Sequence, residues 1–228
     1  PRLMVVLATK CYVEGEARER ALKSLGSLID NDIHQLSVDS EIGVRRDDFV
    51  TVTLTGDDAT AARNVLREEW GEITDHFTEG DTYVGTLDSW DDEGITLDAG
   101  EKIRIPADEL GLGPGTPSQI RERFGLIQHL PMTFVYGEPS RLADEEIDRL
   151  YDWSRGRGRV NVNSATRGEV RATVNRAGHA QDIVTVERLG LLEQSIITGE
   201  GTDPPGLLAA IGEYLPAELR CVIGGEDD

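Results

Sequence analysis

The chain has almost no lysine: of its 23 basic residues, only Lys10, Lys23 and Lys102 are lysines. Cysteine, methionine and histidine are scarce too, with two, two and four copies in 228 residues. Each scarcity removes a class of explanation. Cys11 and Cys221 are too few and too far apart for a disulfide framework or a thiolate cage, and read as small apolar strand residues. His34, His76, His129 and His179 stand singly, without metal-ligand spacing, so no metal site is expected. No apolar run approaches the roughly 18 residues of a membrane span, and charged residues follow the short apolar stretch at the start, unlike a signal peptide. A soluble, cytoplasmic protein is the expectation. The sequence also lacks a P-loop, a dinucleotide glycine fingerprint, a G-x-S-x-G turn and a Cys–His pair at motif spacing. It names no catalytic residue and no cofactor, so a binding role is expected rather than an enzyme.

What is abundant is acid. Asp and Glu number 43, giving a net charge of −20. An acidic surface with few ammonium stems suits a cytosol of molar salt, where self-repulsion is screened, and points to a halophilic source.

The order of elements predicts an α+β chain of three domains. Residues 1–75 read as a ferredoxin-like α/β domain: a strand at 3–8, a helix at 16–29, a hairpin of 33–38 with 49–55, and a helix at 59–70 after Gly56-Asp57-Asp58. Its last strand is missing or weak. From Gly80 the period falls to two, and short strands at 83–87, 94–97, 103–105 and 132–135 with a helix at 118–124 predict a small β-barrel of OB or SH3-like size over 76–138. Glu138-Pro139-Ser140 reads as a linker. Residues 139–228 then give a helix through Trp153 and a second ferredoxin-like βαββαβ unit, with strands at 160–162, 182–186, 191–197 and 219–223. Its helices start after Ser164 or Thr166 and after Thr202 or Asp203, and GGEDD reads as a frayed tail. Both helices of such a unit cover one sheet face and leave the other as a binding surface.

Charge singles out this last unit. From Arg149 to Arg188 eight arginines stand against four acids, a local balance of +4 in a chain that carries −24 elsewhere. Arg155, Arg157, Arg159, Arg167, Arg171 and Arg176 are the candidate nucleic-acid contacts, because guanidinium forks bind phosphate bidentately and stack on bases. Asn161, Asn163 and Ser164 add neutral donors and acceptors beside them. The competing reading is that these arginines pair with surface carboxylates. Lys102, Arg104, Arg121 and Arg123 form a second, less acidic side on the barrel, while Asp91, Asp92 and Glu93 read as a solvated turn. Residues 201–206, GTDPPG, resemble the ligand loop of ACT-type regulatory domains, with Gly201, Thr202, Asp203 and Gly206 as candidate ligand-binding residues, although in that family the loop follows the first strand and here it follows the third.

The stretches DTYVGTLDSW, IPADELGLGPGTPSQIRERFGLIQHLP and DIVTVERLGLLEQSII followed by GTDPPG make the whole chain resemble the archaeal family known as domain of unknown function 2110. The resemblance implies an archaeal, cytoplasmic origin and brings no catalytic residues with it. The partner expected from the arginines is RNA, or a ribonucleoprotein or transcription complex; a small-molecule sensor and a protein-protein scaffold are the alternatives.

Overall fold

The computed structural model describes residues 1–215 and 217–225; Glu226, Asp227 and Asp228 of the expected tail lie outside the described residues. Strand β1 (Arg2–Lys10) turns Val5 and Leu7 toward helices α1 (Gly15–Ile33) and α2 (Ala59–Trp70), and Val6 and Ala8 toward the opposite face. Strand β3 (Phe49–Thr55) pairs antiparallel with β1 on one side and with β2 (Asp39–Val44) on the other. The strand expected at 33–38 is not there. Ala21, Leu25, Ile29 and Ile33 form a buried stripe at four-residue spacing that draws the helix on to Ile33, and the strand begins after a turn, at Asp39. Asp58 stands at the cap position of α2, but its side chain makes no capping bond and instead accepts a hydrogen bond from the Ser37 N–H at 2.7 Å. The weak last strand survives as a single bridge, Leu7 to Glu72, flanked by hydrogen bonds from Ile73 N to Val6 O and from Ala8 N to Gly71 O.

The central part is a curled half-barrel. Strands β4 (Thr82–Asp91), β5 (Gly94–Asp98), β6 (Lys102–Pro106), β7 (Pro131–Val135) and β8 (Arg141–Leu142) lie in the order β6-β5-β4-β7-β8. Helix α3 (Pro117–Phe124) opens with a capping box between Thr116 and Gln119, carries Pro117 in its first turn, and stops at Gly125 in the left-handed region. Helix α4 (Asp144–Arg155), read from the sequence as the opening of the last domain, packs its Leu150 and Trp153 into the core made by Leu87, Leu97, Phe124 and Phe134. β8 likewise pairs with β7 rather than leading away from it.

The last part holds β9 (Arg159–Val162), α5 (Arg167–Arg176), β10 (Ile183–Arg188), β11 (Gln194–Thr198), α6 (Pro204–Ile211) and β12 (Leu219–Val222), in the antiparallel order β10-β11-β9-β12. Val160, Val162, Val186 and Ile196 meet Val170, Val174, Leu207 and Ile211 of the two helices. The other sheet face, expected to be free, is covered by the central part. Asn161 is fully buried and donates to Gly125 O at 2.9 Å, and Val222 sits in the central core. Leu191 and Leu192, expected within a strand, lie before it and enter the amino-terminal core beside Leu7, Leu25 and Leu66. The Leu191 N–H donates to Thr9 Oγ1 at 2.9 Å. One hairpin of the last unit thus plugs the first.

Candidate nucleic-acid interface

Five of the six arginines are exposed: Arg155, Arg157, Arg167, Arg171 and Arg176. Among the described residues none of these five makes an ion pair. Their contacts are weaker or neutral. Arg155 lies over the Tyr151 ring at 5.1 Å, Arg167 Nε donates to Val186 O at 2.6 Å, Arg171 reaches Thr185 Oγ1 at 3.3 Å and Arg176 reaches Thr173 Oγ1 at 3.4 Å. Many guanidinium groups elsewhere are taken, Arg45 by Asp47, Arg63 by Glu72, Arg149 by Glu146, Arg188 by Glu69 and Arg220 by Glu218, although Arg2, Arg18 and Arg46 also make no ion pair among the described residues. The second basic side expected on the barrel is consumed in this way, with Lys102 on Asp88 and Asp98, Arg104 on Asp91, Arg121 on Glu218, and Arg123 on the Leu112 and Pro114 carbonyls.

Arg159 is different in kind. Its side chain is 12% exposed, pairs with Glu187 at 3.7 Å, donates to Ser195 Oγ at 3.0 Å and lies 4.8 Å from the Trp153 ring. Burial draws its guanidinium below its ordinary range, against the pull of Glu187. It belongs to the seam between the last sheet and α4. Its neutral neighbours are spent as well, Asn161 on Gly125 O and Ser195, and Asn163 on Gln128 O and the Glu218 N–H.

The five exposed arginines form three small groups. Arg167 and Arg171, one turn apart on α5, both reach the edge strand β10. Arg155 and Arg157 flank the entry to β9. Arg176 lines a cleft of about 700 Å³ between α1 and α5, whose walls include Tyr12, Arg20, Ser164, Glu169 and the half-exposed Tyr214.

The GTDPPG turn brings Gly201, Thr202 and Pro204 beside Arg157 around a second cleft of about 700 Å³. Its helix start has no N–H to offer an anion. Pro204 and Pro205 lack the group, Asp203 Oδ2 accepts from Gly206 N at 3.1 Å, and Leu207 N is bound to Asp203 O. Asp203 acts as the helix cap.

One polar cluster at the meeting of the three parts has no motif in the sequence. The Tyr12 hydroxyl accepts from the Ser164 N–H at 3.0 Å and donates to Glu193 Oε2 at 2.6 Å, while its ring stacks on His129 at 3.8 Å. Glu193 is wholly buried, and burial pushes its carboxyl up to about 8, against the Tyr12 hydrogen bond. Burial and then the Lys10 charge push His129 down to about 4. Burial and then Glu193 hold the Tyr12 phenol well above its ordinary range. The one signal available in sequence was an isolated acid in the apolar run LLEQSII.

Among curated proteins nothing matches the chain. Three family models cover nearly all of it: the DUF2110 N-terminal domain matches residues 4–76, the DUF2110 central domain residues 77–154, and the DUF2110 C-terminal domain residues 157–223. The boundary near 155 agrees with the packing of α4 on the half-barrel. The chain belongs to the DUF2110 family.

Proposed function

We propose that this chain is a non-catalytic, RNA-associated protein of the archaeal information-processing machinery, acting on ribosomal or transfer RNA or with the transcription apparatus in a salt-rich cytoplasm. The observation that carries the reading is the set of arginines without carboxylate partners. In a chain with 43 acids and 23 bases, five exposed guanidinium groups between Arg155 and Arg176 keep their donors for something other than an acid of the described chain. Arginine suits phosphate and base faces at high ionic strength, because bidentate geometry and stacking persist where counterion release has lost its force. The two outer units are read as ferredoxin-like modules, supported by the antiparallel orders β1-β3-β2 with a bridge beyond β1, and β10-β11-β9-β12. The central half-barrel serves as their spacer.

The test is purification from native lysate in high salt, with and without nuclease, followed by identification of bound RNA and protein. RNA recovered with the wild-type chain and lost when Arg155, Arg157, Arg167, Arg171 and Arg176 are changed to Ser supports the reading. Arg159 is left in place because it holds the domain seam. A partner protein that survives nuclease would replace RNA association with a scaffold role.

A further inference from the structure

Residues 188–193, the tip between β10 and β11, touch all three parts of the molecule. Leu189 packs on the central core, and Leu191 and Leu192 enter the amino-terminal core. Arg188 spans from Glu69 at 2.8 Å to the face of Trp70 at 3.9 Å. Glu193 closes the tip, fully buried, and its carboxyl has one hydrogen bond among the described residues: Tyr12 serves Oε2, and Oε1 has no partner. A Cβ built on Gly190 would run into that same Oε1, so no room remains on that side. An ionised carboxylate needs several donors when it is removed from water; one phenol and an orphaned oxygen suit the neutral acid.

We propose that residues 188–193 are a proton-gated plug, held in the amino-terminal domain by the neutral Glu193 carboxylic acid and released progressively as that proton passes to solvent. The groups packed around it are few. Tyr12 and the neighbouring thiol Cys11 come from the segment just after β1, both held protonated by burial. His129 comes from the segment before β7, and behind it stand Lys10, Asp98, Asp88 and Glu218. Arg188 and Glu69 pair at the rim, and the turn after β9 contributes the Ser164 N–H. Tyr12 and Ser164 also wall the cleft that holds Arg176, so withdrawal of the plug alters that cleft.

Two titrations of opposite sign shape the response. The seated plug keeps the Glu193 proton up to about 8, whereas a released glutamate loses it near 4.5, so in that window release frees one proton and is favoured tenfold per pH unit. His129, neutral down to about 4 when seated and titrating near 6.5 when released, takes up a proton on release below 6.5 and opposes that trend. The two cancel between about 4.5 and 6.5. From pH 6.5 to 8 Glu193 dominates; because the seated acid is half ionised at pH 8 and the released His129 is still half protonated at pH 6.5, release rises about tenfold over that range.

Hydrogen exchange of the intact chain, corrected for intrinsic rates, reads the effect in β1 and in residues 188–193. The wild type should show nearly flat protection from pH 5 to 6.5 and about a tenfold loss by pH 8. Glu193→Gln should abolish that loss and expose the His129 slope below 6.5. Equal pH dependence in both proteins would overturn the proposal. The ¹³C shift of the Glu193 carboxyl needs no substitution: a midpoint near 8 supports the plug, and one in the ordinary glutamate range overturns it.

Discussion

Removing either partner of the Lys10–Asp98 ion pair should have unequal effects, and the inequality can be worked from their surroundings. The pair is 2.7 Å apart with side chains 8% and 6% exposed, and it joins the end of β1 to the end of β5. Asp98 has further support: Lys102 stands 3.3 Å away and the Gly100 N–H donates at 3.0 Å. Burial works to raise its carboxyl, and Lys10, Gly100 and Lys102 overcome it and hold it below its ordinary range. Among the described residues Lys10 has only Asp98 and the face of Phe49 at 4.9 Å. Breaking a buried pair costs about 3–5 kcal/mol when the remaining charge is stranded. Asp98→Ala strands Lys10 and should fall in that range. Lys10→Met keeps the aliphatic stem and leaves Asp98 its other two partners, so it should cost about 1–2 kcal/mol less. The double variant should recover much of the larger loss, because no charge remains stranded. Urea unfolding of the four proteins closes the cycle, and repeating it in molar KCl should leave the coupling nearly unchanged because a buried pair is poorly screened. Equal single costs, or additive losses in the double variant, would refute the reasoning. Since Asp98 is held below its ordinary value, its contribution is full above about pH 4 and is lost on further acidification.

Asp203→Ala removes the cap of α6, and melting should show a loss of about 1 kcal/mol, with no metabolite or anion shifting the melting temperature of either protein. A ligand that stabilised the wild type alone would restore the small-molecule reading of Gly201 to Gly206. Gly190→Ala pushes a methyl against Glu193 Oε1 and Pro131 and should cost about 1–3 kcal/mol in urea unfolding. Arg159→Ser should loosen the seam over Trp153 and lower the melting temperature, whereas Arg171→Ser, which loses one exposed contact to Thr185, should leave it nearly unchanged.

Local signals carried the elements well where a cap and a periodic face agreed. The helix expected after Ser164 or Thr166 is α5, with Thr166 as its cap, and the helix expected at 118–124 is α3, which begins one residue earlier at Pro117. The misplaced strand at 33–38 shows a short alternation losing to a longer stripe, since Ile33 continues the spacing of Leu25 and Ile29. Interfaces between parts were the harder matter. Leu191 and Leu192 look like strand residues because their apolar character serves a core more than a hundred residues away in the chain, and no local pattern says which core an apolar residue joins. Arg159 looked equal to Arg155 and Arg157 in RGRGR. Only the alternation within β9, which sets Arg159 and Asn161 on one face against Val160 and Val162 on the other, separates it, and only once that face is known to be covered. Glu193 and Tyr12 are distant in sequence and share no motif, so their meeting was invisible before the fold.

The most direct test of RNA association is the affinity of the purified chain for bulk ribosomal and transfer RNA across a range of potassium chloride concentrations. The wild type should bind with a slope of log affinity on log salt of about −3 to −4, for up to five phosphate contacts on single strands. Serine at Arg155, Arg157, Arg167, Arg171 and Arg176 together should weaken binding at every salt concentration and flatten the slope toward zero while leaving the melting temperature unchanged. Wild-type and variant proteins of equal affinity and equal slope would contradict the account.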